Sequence, residues 1–98
     1  MLWVVRFYDK PDVLAIRLQK MQAHLAWLDA MQEVVRVAGS LREIPDGHPQ
    51  GGLWLVEAQS REEVETVLRA DPFWLAGLRE RVEIHFWAKA FSERKTLI

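Results

Sequence analysis

Leu2 to Tyr8 is a run of Val and aromatic residues that breaks at Asp9-Lys10-Pro11, and it predicts a strand. Asp9 can accept hydrogen bonds from the next free backbone N–H groups, and Pro11 suits a first helical turn. A helix is therefore expected from this point to about Gln32. Leu14, Leu18, Met21, Leu25 and Leu28 recur every three or four residues and define the apolar stripe expected to face the core. Val34 to Ala38, closed by Gly39, reads as a second strand. Residues 41–52, with their Pro and Gly residues, Asp46 and His48, read as a loop, and Leu53 to Ala58 as a third strand. Ser60-Arg61-Glu62-Glu63 is a capping box that opens a helix over Arg61–Ala70, with Val64, Val67 and Leu68 inward. Asp71-Pro72 interrupts that helix, and Pro72–Leu78 is expected to add one or two short turns. Val82 to Phe91 alternates and predicts the fourth strand. The tail, Ser92 to Ile98, is expected to be loose or to dock on a partner.

Strand-helix-strand twice over is the ferredoxin-like βαββαβ order, an α+β fold with one four-stranded antiparallel sheet and both main helices on one face. We expect a single domain over residues 1–98. Side chains alternate faces along a strand. One consistent assignment puts Trp3, Val5, Phe7, Trp54, Val56, Val82, Ile84 and Phe86 under the helices. The other face then carries Leu2, Val4, Arg6, Tyr8, Leu53, Leu55, Glu57, Glu83, His85, Trp87 and Lys89. Tyr8 and Trp87 alone would bring about 150–250 Å² each to a buried surface, more apolar area than soluble monomers commonly leave in water. A second copy packed face to face covers it at least cost, so a homodimer, with higher assembly open, is expected. The alternative is that the C-terminal tail folds over this face. Arg6, Glu57, Glu83 and His85 would then pair, or line a wet cavity able to hold a small ligand.

Composition narrows the function classes. Thirteen basic and fourteen acidic residues are interspersed, so no basic stripe is available to track a nucleic-acid backbone. With no cysteine, the chain has no disulfide, thiolate nucleophile or Cys-ligated metal. Met1–Arg6 lacks the pattern of a signal peptide, and no apolar stretch nears the roughly 20 residues of a membrane span. A cytoplasmic location away from membranes is the expectation.

Candidate chemistry centres on histidine. His48, in the Pro/Gly loop, reads as a solvated side chain, and His85 as an interfacial residue with a satisfied ring. His24 lies roughly 80° from the centre of the helix's apolar stripe. It is a border position, which suits a structural residue and equally a half-desolvated general base. Asp71 before Pro72 reads as an N-cap; the functional reading is that it orients His24 and stabilises its imidazolium. The two lie on different elements, so spacing cannot join them. The histidines lack metal-ligand spacing, Gly51-Gly52 precedes a strand and so is no phosphate loop, and no Ser stands in a nucleophile elbow.

Several segments, in order, resemble the YciI-like (YCII-related) family. They are Asp9-Lys10-Pro11-Asp12, Ala23-His24-Leu25-Ala26-Trp27-Leu28, Val37-Ala38-Gly39, Ala70-Asp71-Pro72-Phe73 with Ala76-Gly77-Leu78, and Lys89-Ala90-Phe91. The resemblance implies the dimeric α+β barrel architecture, with dimers formed through the sheet. It also implies an enzyme using a His–Asp pair, which maps onto His24 and Asp71, at or near the edge of the open sheet face. One branch resembles muconolactone isomerases and includes a dehydrochlorinase. Lyase or isomerase chemistry without a cofactor or metal, on a small oxygenated ring or enol, is what this implies. Arg6 or His85 would bind an anionic group of the substrate. Ser40 and Phe86 stand where the family often has Pro, and the loop before Gly51 is shorter than in some relatives, so the substrate is not carried over. Two other readings remain open. A non-catalytic binding module would leave His24 without a carboxylate in reach; a purely structural subunit would have no enclosed pocket.

Overall fold

The computed structural model describes all residues from Met1 to Ile98. The elements run β1 (Leu2–Asp9), α1 (Leu14–Ala30), β2 (Val35–Leu41), β3 (Gly51–Glu57), α2 (Arg61–Leu68), α3 (Pro72–Leu75) and β4 (Arg79–Phe86). The strands form one sheet in the order β2-β3-β1-β4, and every neighbouring pair is antiparallel. This is the expected βαββαβ arrangement, with helices on one face.

The core is the helix-covered face: Trp3, Val5, Phe7, Trp54, Val56 and Ile84, closed by Val64 and Leu68 of α2. Trp54 packs edge-on to Phe7 at 4.7 Å and receives Trp27 of α1 at 5.5 Å. Each large side chain buried this way contributes about 1.5–3 kcal/mol. Phe86 keeps its assigned face, paired with Trp3 and edge-on to it at 5.5 Å, but at the sheet's end it stays half exposed.

Several boundaries differ from the expected ones. α1 starts at Leu14, because Pro11 and Asp12 form a turn in which Asp12 takes φ 58°. Asp9 does not cap it; two guanidinium groups hold its carboxylate instead. β2 and β3 extend towards each other to Leu41 and Gly51, consuming part of the predicted loop. Gly51 is required there, since an added Cβ would overlap the Phe7 carbonyl. α2 ends at Leu68, and α3 is a single turn that stops at a Schellman motif. Gly77 takes φ 76°, its N–H bonds Trp74 O, and the Leu78 N–H bonds Phe73 O. β4 begins three residues early and ends at Phe86, because β1 offers no partner past the Trp87 N–H to Leu2 O bond.

The orientation of α1 is the largest departure. Leu14, Leu18 and Leu25, expected inside, are 44%, 68% and 55% exposed, while Arg17 and His24 are buried. Trp27, Leu28 and Met31 supply its apolar contacts with the core. The helix carries apolar side chains around most of its circumference, so periodicity could not choose the inward face. Partners for the two polar residues chose it. The capping box at α2 is present with one change: Ser60 Oγ accepts from Glu63 N, but the Glu63 carboxylate reaches back to Gln59 N.

Candidate active site

Asp71 caps α3. Its Oδ1 accepts from the Phe73 N–H at 3.1 Å and, at 2.7 Å, meets Nδ1 of His24. The cap bond and the contact with His24 share one oxygen. Asp71 is fully buried and His24 is 8% exposed. The His24 ring stacks on Phe73, with centroids 3.8 Å apart and planes 9° from parallel. With Asp71 ionised, Nδ1–H donates, which leaves Nε2 as the ring's free basic nitrogen.

Three further buried charges surround this pair. Asp9 at the end of β1 receives Arg17 Nη2 at 2.5 Å on Oδ2 and Arg79 Nη1 at 2.6 Å on Oδ1. Arg17 lies 5.1 Å above the Phe73 ring; Arg79 lies 5.4 Å from the same ring and 4.4 Å from Phe7. Burial pushes the Arg79 guanidinium below its ordinary range, opposed chiefly by its hydrogen bond to Asp9. Charge-assisted bonds of this length stabilise Asp9 more than the lone backbone N–H of a helix start would.

Asp9, Arg17 and Arg79 did not emerge from the sequence as members of one site. Arg17 carried a signal, since it precedes His24 by seven residues and shares its helical face. Arg79 carried none. Strict alternation from Val82 and Ile84 would turn it to the open face, but a register shift between Tyr8 and Asp9 pairs Asp9 with Arg79 and reverses that parity.

Arg6 and His85 are not brought to the dyad. They lie on the open face, whereas His24 and Asp71 lie on the helix side, so the dyad is not at the open face's edge as expected. Arg6 folds back onto the Phe7 carbonyl, its guanidinium 4.0 Å above Tyr8, and His85 is exposed opposite Val4. A shallow depression of about 380 Å³ between Val4, Leu53, Leu55, His85, Phe86 and Trp87 marks the middle of this face. The tail curls on itself through Lys89 Nζ to Thr96 Oγ1 at 2.9 Å and leaves the depression open. Tyr8 O–H donates to Glu83 Oε1 at 2.7 Å, and this bond holds the Glu83 carboxyl below its usual range, with Arg81 assisting. On the helix side an open cavity of about 450 Å³ borders the network, lined by Lys10, Asp12, Arg17, His48 and Gln50 among others. His24 and Asp71 do not line it. No cluster of three or more His, Cys, Asp or Glu side chains offers a metal site. No helix is long and apolar enough to cross a membrane.

Comparison with known proteins agrees with this architecture. Protein YciI of Escherichia coli O6:H1 is 32% identical over 98 residues, covering 93% of this chain and all of its own length. Protein YciI of Shigella flexneri is equally similar. Among solved structures, 5-chloro-2-hydroxyhydroquinone dehydrochlorinase from Burkholderia phenoliruptrix AC1100, in complex with 2,5-dihydroxybenzoquinone, superposes with a TM-score of 0.81 at 29% identity. That match covers 90% of this chain and 94% of the dehydrochlorinase. A NIPSNAP domain protein from Burkholderia xenovorans shares the fold alone, with a TM-score of 0.51 at 19% identity over 97% of this chain and all of its own. The sequence pattern of the YCII-related domain matches residues 1–88, and the chain belongs to that family.

Proposed function

We propose that this protein is a small enzyme of dehydrochlorinase-like or related lyase or isomerase type, with His24 as general base and Asp71 as its orienting partner. The observation that carries the reading is the buried 2.7 Å contact between His24 Nδ1 and Asp71 Oδ1. A carboxylate so placed selects the tautomer with a free Nε2 and stabilises the imidazolium that forms when Nε2 takes a proton. The stacked Phe73 ring keeps water from one face of the imidazole. On a small oxygenated ring or enol, Nε2 removes a proton, and the released electron pair either expels a leaving group such as chloride or shifts a double bond. The imidazolium then returns its proton to solvent or product. The chemistry asks only for side chains. Structural likeness to a dehydrochlorinase at 29% identity supports the class and leaves the substrate to experiment. A non-catalytic binding module would leave the His24 ring without a carboxylate in reach, and the Asp71 contact argues against it.

The reading includes a homodimer through the open sheet face, in which Arg6 and His85 line the shared interface and offer positive groups to an anionic ligand. Chloride release from 5-chloro-2-hydroxyhydroquinone and related chlorinated hydroxyquinols is the first assay. His24→Ala should lower turnover by about 10²–10⁴-fold while leaving the far-UV circular dichroism spectrum unchanged. A folded His24→Ala variant that releases chloride at the wild-type rate would sink the assignment.

A further inference from the structure

Two buried polar atoms in the protein have no hydrogen-bond partner: Oδ2 of Asp71 and Nε of Arg79. One is an anionic acceptor and the other a cationic donor, complementary in charge though not bonded to each other. The residues sit close enough for Asp71 to act on Arg79 electrostatically. Both touch one aromatic residue, since Asp71 Oδ1 bonds the Phe73 N–H and the Arg79 guanidinium lies over the Phe73 ring.

The charge balance of the cluster links these two groups. The charged groups facing the dyad are Asp9 from β1, Arg17 from α1, Arg79 from β4 and Asp71 itself, with Lys20 exposed beyond Ala23 and Pro72. Two carboxylates and two guanidiniums are buried together, and His24 completes a neutral set when uncharged. Asp9 is bonded by both guanidiniums, so one positive charge of the two remains to balance Asp71, and Arg79 carries the unpartnered N–H. An unmatched buried carboxylate would instead draw a proton.

We infer that Arg79 is the positioning residue of the His24–Asp71 pair, its guanidinium keeping the buried Asp71 carboxylate charged beside the His24 ring. The inference rests on the reading of His24 as the base, and it assigns to β4 a part in setting the pH at which that base works. Loss of the cation raises the proton affinity of every group near it, so Asp71 and His24 both shift in one direction. The dyad then becomes protonated, and silent, at higher pH.

The test compares wild type with Arg79→Met and Arg79→Lys. Ring nitrogens of ¹⁵N-labelled His24 are followed by NMR against pH, alongside the pH profile of kcat/KM. In Arg79→Met the His24 ring should protonate about one pH unit higher than in wild type, the order of a Coulombic shift for one charge lost from a partly desolvated cluster. The acid limb of kcat/KM should move with it while KM changes little. Arg79→Lys should restore most of both shifts. If Arg79→Met does not fold, Arg79→Gln carries the same expectation. Superimposable His24 titrations in wild type and a folded neutral variant overturn the inference. The NMR arm needs no turnover, so it separates this result from a failure of the catalytic reading, which only His24→Ala decides.

Discussion

Single residues in this protein owe their roles to charges that had to be paired once buried. Asp9 stands where a helix cap was expected, yet its carboxylate is 4% exposed and held by two guanidiniums. A buried ion that loses its partner costs about 3–5 kcal/mol, well above the roughly 1 kcal/mol of an N-cap. On the open face Tyr8 does for Glu83, on a smaller scale, what the arginines do for Asp9. Its hydroxyl is the leading cause of a lowered Glu83 pKa. A carboxyl lowered in the folded state contributes stability above its unfolded pKa and loses it as pH falls through the folded value. Tyr8→Phe should therefore return the Glu83 titration, read by carboxyl ¹³C NMR, towards the ordinary glutamate range. The acid side of the stability profile should move to higher pH with it. Identical Glu83 curves in the two proteins would refute the attribution.

Among the elements, α1 is the most instructive, because a correct helix prediction came with the wrong inward face. A 4-3 spacing of leucines states that one stripe is apolar; it does not state that this stripe is the buried one when Ile16, Trp27 and Met31 make the other sides apolar too. Arg17 and His24 are turned inward by Asp9 and Asp71, and Leu14, Leu18 and Leu25 are left in water. Hence Leu18→Gln with Leu25→Gln should change the unfolding free energy read from urea titration little, within about 0.5 kcal/mol. Had the leucines been core residues, each truncation would cost about 2–5 kcal/mol. A loss of several kcal/mol in the double variant would reverse the orientation described for this helix. The strands were legible in number, order and core face. Their ends were not, since a strand's length is set by its neighbour's: β2 and β3 lengthen by pairing together, and β4 stops where β1 begins.

For the whole molecule, the consequence lies on the sheet face opposite the helices. Val4, Leu53, Trp87 and the depression between them face solvent, although Leu55 at its floor is only 7% exposed. The proposed dimer covers this area without touching the dyad. Leu55→Glu should convert a species of twice the chain mass in light scattering to a monomer, because a charge at the centre of an apolar interface costs more than the contact returns. A wild-type chain that runs as a monomer at micromolar concentration, or a dimer unmoved by Leu55→Glu, would refute the packing.

The fold class, the two faces of the sheet and the two residues of the candidate dyad were all legible along the chain. Each follows from local information: alternation along strands, a proline beside a capping aspartate, and short family motifs around His24 and Asp71. Three-dimensional packing was needed to show which side of α1 is inside, that Asp9 is an ion-pair hub and not a cap, and that Arg79 joins Asp9 on the helix side. Those outcomes depend on partners distant in sequence. His24 and Asp71 lie 47 residues apart, Asp9 and Arg79 lie 70, and one register shift turned Arg79 to the helix side. A buried charge goes where its counterion is, and that position is set by the packing of the whole chain.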